Sequence, residues 1–384
     1  MVKKIGCVIA YKKNHTNYGT SLVAYALLRK LQQLGYDIEV INYIKHPTLR
    51  EKVVIAINQL RVVGIRKFIK RFFPQTSNAN YIKGISERTV SVESYKKCKI
   101  EPLFHSYVGY KDLCSGSNNY DAVIVGSDQV WLPQGLKTKF YNLLFVDDNV
   151  RKVSYASSFG VSEIPKFQKK DTANYLNRFY AIGVREQKGK EIVQDLSTKQ
   201  ATVVADPTLL LDAKEWEAEI KESHINENEP YIFCYFLGKN KDARKAANEL
   251  RKKTGYKIVT LRHMDEFILE DETFGDEAPY NVDPNDFVKY ISKAEYVCTD
   301  SFHCTAFSIQ FHRNFMTFYR FLSNDKAGRN SRIDSLFNIL SIPQEHIYRG
   351  NVMNIDSPID WNSVDNRLLK LRQESICFLN NALK

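Results

Sequence analysis

The side chains best suited to proton transfer in this chain lie in a segment that follows a predicted strand, Thr299 to Phe307. His303 comes at the start of a predicted helix, where the helix dipole disfavours the imidazolium and poises the ring for proton transfer near neutral pH. A second such segment contains Arg185, whose planar guanidinium suits a carboxylate or a phosphate. A structural histidine and a surface ion pair between Arg185 and Glu186 are the plainer alternatives.

Two further segments after predicted strands suit a ligand that is rich in hydroxyl groups. Asn17 to Thr20 contains a glycine turn and helix N-cap residues, where free backbone N–H groups attract an anion or a sugar hydroxyl. Gly126 to Trp131, GSDQVW, combines small residues with an acid, an amide and an aromatic ring. The alternatives are a capped glycine turn and a tryptophan in the core.

Strands and helices are predicted to alternate in both halves of the chain, which indicates an α/β fold. We expect two doubly wound α/β domains, with ligands at the carboxyl ends of the parallel strands. The first domain is expected to span residues 1–212 and to carry a basic helical insertion at about 45–115. The second is expected to span 213–363, and a helix at 364–384 is expected to pack back toward the first domain.

The composition is that of a globular protein with two domains. The 384 residues are too many for one compact core, and no apolar run is long enough to span a membrane. The first apolar run returns to lysine without a cleavage site, so it is predicted to be a strand and not a signal peptide. Seven scattered cysteines without a CxxC pair predict reduced thiols and no metal site. We therefore expect a cytoplasmic protein.

The positive charge is concentrated in one part of the sequence. The formal net charge is +11, and Lys45 to Ile100 carries 13 basic and three acidic residues, a difference of +10. A uniformly basic protein would indicate nucleic acid, whereas one basic segment indicates a local anionic partner. We therefore expect no nucleic-acid partner.

The segment from Arg61 to Phe73, RVVGIRKFIKRFF, predicts an amphipathic helix. Four apolar side chains fall on one face: Ile65, Phe68, Ile69 and Phe72. Four basic side chains fall on the other: Arg66, Lys67, Lys70 and Arg71. This pattern is typical of a helix in a membrane interface, and we expect it to attach the protein to the anionic inner face of the cytoplasmic membrane. The alternative is a helix packed on its own domain with a solvated basic face.

Seven segments, in this order, resemble motifs of the polysaccharide pyruvyl transferase family. They cover most of the chain: Asn17-Tyr18-Gly19, GSDQVW at 126–131, SYASSFG at 154–160, GVRE at 183–186, ADPTLLL at 205–211, TDSFHCTAF at 299–307 and Arg332-Ile333. The resemblance implies two Rossmann-like, doubly wound domains that face a cleft, which is the GT-B arrangement. It also implies phosphoenolpyruvate as the donor and a cyclic pyruvate ketal as the product. The implied acceptor is a hexose of a cell-surface polysaccharide or of its polyprenyl-diphosphate-linked precursor.

The resemblance also implies roles for individual residues. Arg185 and His303 are expected to bind the donor and to be catalytic. Further donor contacts are expected from Ser301, Phe302 and Thr305. In the first domain, partly by analogy with GT-B enzymes, we expect the acceptor near Asn17, Tyr18, Gly19, Ser127, Asp128, Gln129 and Trp131. The family usually has glycine after the histidine, whereas this chain has Cys304, whose side chain would narrow the donor pocket. No cofactor or metal is expected, since the implied reaction is acid–base chemistry on phosphoenolpyruvate.

Two other classes of function fit parts of the sequence. A GT-B glycosyltransferase that uses a nucleotide sugar would have the same architecture. It would need groups that bind a base and a ribose in the second domain, whereas Asp300 to Thr305 is richer in residues for phosphate and proton chemistry. A basic binding protein without activity is disfavoured, because the polar segments lie at strand ends and not in the basic segment.

Overall fold

Two parallel β-sheets, one in each half of the chain, organise the described residues, which are 2–65, 78–225, 229–264, 266–320, 330–350 and 354–384 of this computed structural model. The strands of the first sheet are β1 (Lys4–Val8), β2 (Asp37–Ile44), β3 (Phe104–Val108), β4 (Ala122–Val125), β5 (Arg151–Ser157), β6 (Ala181–Val184) and β7 (Ala201–Val203). The strands of the second are β8 (Tyr231–Tyr235), β9 (Lys257–Thr260), β10 (Tyr296–Thr299), β11 (Asn314–Phe318) and β12 (Ile347–Tyr348).

Helices connect these strands and cover both faces of each sheet. Within the described residues the α-helices of the first half are α1 (Tyr18–Gln33), α2 (Leu49–Val63), α3 (Ala79–Lys99), α4 (Gly109–Gly116), α5 (Lys169–Leu176) and α6 (Gln187–Leu196). Those that follow are α7 (Ala213–Glu219), α8 (Lys241–Thr254), α9 (Pro284–Lys293), α10 (Phe302–Gln310), α11 (Ser331–Leu340) and α12 (Trp361–Leu383).

The first sheet has the order β3-β2-β1-β4-β5-β6-β7, and its neighbouring strands are parallel. Its central strands are continuous apolar runs because helices cover both faces, and β4, AVIV, is buried throughout. The strand order reverses between β1 and β4. In open α/β sheets such a reversal opens a crevice at the carboxyl ends of the strands, so the loops after β1 and β4 border a potential site.

The second sheet has the order β12-β11-β10-β8-β9 and is also parallel. Its order reverses between β8 and β10, which places the loop with Asp300 and Ser301 at the corresponding crevice. The two sheets confirm the predicted fold class: two Rossmann-like α/β halves in a GT-B-like arrangement.

The helices α1 and α10 begin at these two crevices. Asn17 caps α1 with a side chain that accepts a hydrogen bond from the backbone N–H of Thr20, and Ser301 caps α10 by accepting from that of Cys304. The imidazole of His303, in the first turn of α10, lies against Gly19 in the first turn of α1. The N-termini of two helices from opposite halves therefore meet, which brings their partial positive charges to one place.

The largest hydrophobic cluster contains residues of both halves, and each half has a smaller cluster of its own. Tyr18 of α1 stacks on Phe287 of α9 with ring centroids 4.8 Å apart. Trp216, which is fully buried, contacts both Tyr25 of α1 and Phe307 of α10, at centroid distances of 6.0 and 5.0 Å. Aromatic side chains from both sides thus interlock, and the apolar area they bury holds the halves together.

Arg88 of α3 adds a polar connection between the halves. Its Nη1, Nη2 and Nε donate to the backbone oxygens of Arg262, Pro279 and Tyr280 at 2.8, 3.0 and 3.3 Å. The side chain is buried, so the three carbonyl groups replace the water that the guanidinium loses. Helix α3, which follows β2 in the first half, is thereby fixed to the second half.

The last helix, α12, lies against the first half. The backbone N–H of Ala205 donates to Ser375 Oγ at 2.9 Å, and Arg372 Nε donates to the backbone oxygen of Leu209 at 2.8 Å. The ring of Phe378 lies within 3.0 Å of the position that a Cβ at Gly183 would take. The helix therefore covers the strand end that leads into Arg185.

The region at 45–115 differs from the expected helical insertion in one respect. It contains a strand, β3, which pairs in parallel with β2 and forms the edge of the first sheet. Its sequence, FHSYV, gave no strand signal because an edge strand leaves most of its side chains exposed and does not need an apolar run. Arg66, Lys67, Lys70 and Arg71, named for a membrane interface, lie outside the described residues. Among the residues that are described, no helix is both long and apolar enough to cross a membrane.

Candidate active site

Asp206 is the point at which charged side chains from both halves meet. It follows β7, and its Oδ2 accepts a hydrogen bond from Arg185 Nη1 at 2.8 Å. His303 Nε2, from the second half, lies 3.7 Å from the same oxygen. The carboxylate is fully buried, and its Oδ1 accepts from the backbone N–H and the hydroxyl of Thr208 at 3.0 and 2.7 Å.

This environment keeps Asp206 ionised. Burial alone would raise its pKa, but the nearby ring of His303, then the charge and hydrogen bond of Arg185, outweigh burial and lower the pKa well below the ordinary value. An ionised carboxylate beside an imidazole orients the ring and stabilises its protonated form. Asp206 can therefore hold His303 in position for proton transfer.

Arg185 uses both prongs of its guanidinium within the protein. Nη1 contacts Asp206, and Nη2 contacts Asp128 Oδ1 at 3.2 Å, while the ring of Phe302 lies 4.9 Å away. The fork predicted to hold a donor thus holds two carboxylates of its own half. The ion pair with Glu186 that was the alternative is present, since Arg185 Nε lies 3.8 Å from Glu186 Oε2, but both side chains are buried and the pair is not at the surface. Arg185 is placed to position its neighbours rather than to project into the cleft.

Asp128 links this cluster to the cleft. Its backbone has φ of 74°, in the left-handed region that a non-glycine residue adopts only when its surroundings fix it, and its backbone oxygen accepts from the N–H groups of Val130 and Ser158. Its Oδ2 accepts from the hydroxyl of Thr20 at 3.0 Å. Burial opposes its ionisation, but the charges of Arg185, His303 and Arg332 prevail and lower its pKa to about 2.

His303 occupies a space that only glycine at residue 19 leaves open. A Cβ on Gly19 would lie 2.1 Å from His303 Nδ1, far inside any real contact distance. His303 is 7% exposed, and its Nε2 makes no hydrogen bond with any residue that the structure describes. A buried ring nitrogen of this kind, close to a carboxylate and to two helix N-termini, is available for proton transfer.

Arg332 adds a further cation on the side of the second half. Its guanidinium lies 5.7 Å from the centroid of the Phe302 ring, so this ring has a guanidinium group near it from each half. Burial, and then the charge of Arg185, lowers the pKa of Arg332 to about 9 despite the opposing effect of Asp128. Because burial is the largest cause, an anion bound beside Arg332 would compensate for the solvation that its guanidinium has lost.

A pocket of about 340 Å³ adjoins this cluster, and we call it the cleft pocket. Its lining is mixed polar and aromatic: Ala10, Tyr11, Lys12, His15, Asn17, Thr20, Asp128, Gln129, Val130, Leu132, Tyr141 and Arg320. It lies at the carboxyl ends of β1 and β4, where the strand order predicts a ligand. Hydroxyl, amide and carboxylate groups beside aromatic rings suit a sugar.

The structure brings only part of the predicted acceptor residues to the cleft pocket. Asn17, Asp128 and Gln129 line it. Tyr18 does not, because it is fully buried and its hydroxyl donates to the backbone oxygen of Val282 at 3.1 Å. Gly19 faces His303 instead, and the hydroxyl of Ser127 is buried, donating to the backbone oxygen of Ala156 at 2.7 Å.

Trp131 belongs to the core, which is the alternative that the sequence left open. Its indole N–H donates to the backbone oxygen of Tyr141 at 3.0 Å, and its ring packs on Phe159 and Phe179. The side chain is buried behind the loop whose other residues reach the cleft pocket. It supports that loop from inside and offers no face to a sugar.

The structure also places only some of the predicted donor residues at the site. Ser301 caps α10, and Phe302 lies between two arginines, so both shape the site. Thr305 of α10 is fully buried, and its hydroxyl is hydrogen-bonded to the backbone oxygen of Ser301 and to Thr317 Oγ1 of β11. It therefore lies between α10 and the second sheet, away from the cleft. Cys304 is buried in the core as well, so its side chain does not narrow the pocket as expected, and burial raises the pKa of its thiol.

Several residues of the candidate site were not given a role in the sequence analysis. Asp206 follows a strand directly, in Ala205-Asp206-Pro207-Thr208, which is the same signal that identified the other segments. Thr20 was treated as part of a helix cap, and no local pattern marks Arg320 or Tyr141. Among the residues described by the structure, no cluster of histidine, cysteine or carboxylate side chains has the arrangement of a metal site.

Comparison with known structures finds distant similarity along most of the chain. The UDP-GlcNAc 2-epimerase from Neisseria meningitidis, bound to UDP-GlcNAc, is 11% identical over 97% of this chain and 99% of its own, with a TM-score of 0.44. The UDP-GlcNAc 2-epimerase from Methanocaldococcus jannaschii, in complex with UDP-GlcNAc and UDP, is 14% identical over 96% and 94%, with a TM-score of 0.44. The ADP-heptose lipopolysaccharide heptosyltransferase II of E. coli is 11% identical over 97% and 99%, with a TM-score of 0.36. At this distance the similarity carries no argument about ligands.

Comparison of sequences gives a more specific result. No curated protein is significantly similar to the chain. The family profile of polysaccharide pyruvyl transferase, however, matches residues 17–320, which is most of the chain. The matched range includes Arg185, Asp206 and His303 of the charged cluster, and Asn17 and Asp128, which line the cleft pocket. The chain therefore belongs to the polysaccharide pyruvyl transferase family.

Proposed function

We propose that this enzyme transfers the pyruvyl group of phosphoenolpyruvate to two hydroxyl groups of one hexose, forming a cyclic ketal. The hexose belongs to a cell-surface polysaccharide or to its lipid-linked precursor. The observation that carries the proposal is the contact between Asp206 of the first half and His303 of the second, next to a pocket of sugar size. Membership of the family supports the reaction class.

The reaction needs a group near C3 of phosphoenolpyruvate that can both donate and accept a proton. One hydroxyl group adds to C2 of phosphoenolpyruvate and its proton passes to a phosphate oxygen, while C3 gains a proton and becomes a methyl group. The C2–O bond to phosphate then breaks, leaving an oxocarbenium ion, and the second hydroxyl group adds to C2 and loses its proton. The products are the ketal and inorganic phosphate, so atoms and charge balance without an oxidant or a reductant.

His303 is the residue that we assign to these proton transfers. It gives a proton toward C3 in the first step and takes one from the second hydroxyl group in the last. Asp206 stabilises the imidazolium that is present before the first step and formed again in the last, and Arg185 pairs with the charge of Asp206. General acid–base catalysis of this kind contributes about 10²–10⁴-fold to the rate.

The donor carries a carboxylate and a phosphate, and positive charge lies on the side of the second half. The first turn of α10 supplies backbone N–H groups and the positive end of a helix dipole. Arg332 lies beside Phe302, and Arg320 lines the cleft pocket. We assign the donor anion to these groups, and the acceptor hexose to Asn17, Asp128 and Gln129 in the pocket.

Two measurements test the proposal. Phosphoenolpyruvate should raise the midpoint of thermal unfolding of the protein, because a ligand that binds the folded state stabilises it, whereas UDP-GlcNAc should have no effect. Phosphoenolpyruvate labelled in its pyruvyl carbons should pass its label to hexoside or polyprenyl-diphosphate-linked hexose acceptors with equal release of phosphate. Stabilisation by the nucleotide sugar, with sugar transfer from it, would replace the proposal by the glycosyltransferase alternative.

A further inference from the structure

Helix α2 carries large apolar side chains on its solvent side. Leu49, Val53, Ile57 and Leu60 are spaced by four, four and three residues, which places them on one face of the helix. They are 79%, 50%, 51% and 36% exposed. We call these four residues the α2 stripe.

The opposite side of α2 is anchored by a polar residue. Asn58, the buried residue of this helix, donates from Nδ2 to the backbone oxygens of Pro133 and Gln134 at 3.2 and 3.1 Å. Its Oδ1 accepts from Gln168 Nε2 at 2.7 Å. The most buried residue of this helix is thus an amide, while four of its large aliphatic side chains face outward. Such a face is stabilised only when an apolar phase covers it.

Cations border the α2 stripe. Arg50, Lys52 and Arg61 are exposed on the same helix. Glu51, the acidic residue of the helix, forms a capping box with Thr48. Its carboxylate accepts a hydrogen bond from the backbone N–H of Thr48 at 2.9 Å. The exposed surface of α2 therefore combines aliphatic side chains with positive charge, which is the composition of helices that lie in the headgroup region of a bilayer.

We propose that α2 binds an anionic lipid bilayer, with the α2 stripe in the acyl boundary and its cations at the headgroups. A second copy of this chain is a poorer occupant, because two α2 helices in contact would bring like charges together. Negatively charged lipids complement both properties of the surface. The proposal concerns described residues and is independent of the predicted basic helix that begins after Arg61.

The position of α2 connects the bilayer to the cleft pocket. Asn58 holds the helix on the turn at Pro133 and Gln134, and the preceding residue, Leu132, lines the pocket. A bilayer under α2 would therefore lie beside the pocket entrance. The binding of lipid does not depend on the proposed transferase activity, whereas delivery of a lipid-linked acceptor from that surface does rest on it.

Sedimentation with vesicles tests the proposal on the full chain without substrates. The protein should pellet with vesicles of phosphatidylcholine and phosphatidylglycerol at low salt, and much less with phosphatidylcholine alone or at high salt, where charges are screened. The double substitution Val53→Asp/Ile57→Asp should lower the partition coefficient by about tenfold or more. Leu369→Asp is the matched control, since Leu369 is 48% exposed on α12, and it should bind as the wild type does.

Fluorescence quenching gives a second readout that does not require the charged variants to fold. Ile57→Trp should be quenched by brominated lipids in anionic vesicles, whereas Leu369→Trp should not. Failure of the wild type to pellet at low salt would overturn the proposal. The proposal would also be overturned if the double substitution pelleted as the wild type does, or if brominated lipids did not quench Ile57→Trp. A dimer in solution that only the double substitution dissociates would overturn it as well. If the wild type had no transferase activity on a soluble acceptor, that result would contradict the proposed function but not the proposal that α2 binds lipid.

Discussion

The imidazole of His303 rests against the α-carbon of Gly19, and these two residues belong to opposite halves of the chain. A methyl group at residue 19 would meet Nδ1 at 2.1 Å and Cε1 at 2.8 Å. The position of the proposed catalytic ring is therefore set by the absence of a side chain on the facing helix.

Gly19→Ala should displace His303 and lower kcat by about 10²-fold or more, because a shift of about 1 Å in a catalytic group has that effect. Steady-state kinetics and denaturant unfolding measure the two consequences. Gly84→Ala is the control, since its Cβ would meet Tyr280 Cε1 at 2.2 Å in another contact between the halves. Both changes should cost about 1–3 kcal/mol by overpacking. Equal losses of kcat in the two variants would show that the interface matters and the ring position does not.

His303→Gln should abolish transfer while the protein stays folded. Glutamine fills much of the same space but cannot transfer protons, so kcat should fall by about 10²–10⁴-fold. Asp206→Asn should produce a loss of similar order, because it removes the charge that stabilises the imidazolium. Turnover like that of the wild type in His303→Gln would refute the mechanism.

Arg185→Lys and Arg332→Lys should have different effects. The first breaks one of two buried contacts with Asp206 and Asp128, so the free energy of unfolding should fall by about 1–3 kcal/mol. The second should mainly raise the KM for phosphoenolpyruvate, because lysine cannot hold an anion with two parallel hydrogen bonds. A rise in this KM for Arg185→Lys alone, at unchanged stability, would reverse the two assignments.

The stability of the protein should depend on pH through Asp128. The pKa of this residue is lowered from 3.8 to about 2 in the folded state, so its stabilising contribution is present above pH 3.8 and is lost as the pH falls toward about 2. The shift corresponds to about 2 kcal/mol. Chemical denaturation at a series of pH values should show a smaller loss on acidification for Asp128→Asn. The same acid dependence in both proteins would assign the effect to other groups.

Trp131→Ala should destabilise the protein without a specific effect on the acceptor. Removing a buried tryptophan costs about 3–5 kcal/mol, whereas Trp131→Phe should keep most of the packing on Phe159. The KM for the acceptor should be unchanged in both folded proteins. An increase in that KM for Trp131→Phe, at the stability of the wild type, would place the indole at the sugar after all.

The fold was predictable because its signals are local. The buried strands are apolar runs, and glycine, asparagine and serine mark the starts of α1 and α10. His303 and Arg185 could be identified since each follows a strand in a parallel sheet. The edge strand β3 was not predicted, because its exposed face carries the same polar side chains as a loop.

The partners of each site residue depend on tertiary contacts that no local pattern contains. An arginine after a strand has the same sequence signal whether its fork holds a ligand or, as with Arg185, two carboxylates. Likewise, Trp131 and Tyr18 have the residue types of a sugar site, but the packing of neighbouring helices buries them. Asp206 could have been identified as a site residue by the same argument, since it follows a strand. It was not identified because that strand, β7, has only three residues.

The contacts of Tyr18, Trp216 and Arg88 between the halves also determine how the molecule comes apart. Since the largest hydrophobic cluster contains residues of both halves, the chain should melt in a single calorimetric transition, with no stage at which one half persists alone. The proposed proton transfer, which needs residues of both halves, should then be lost in the same transition. A severed half, expressed by itself, would have exposed aromatic surface and only part of the candidate site.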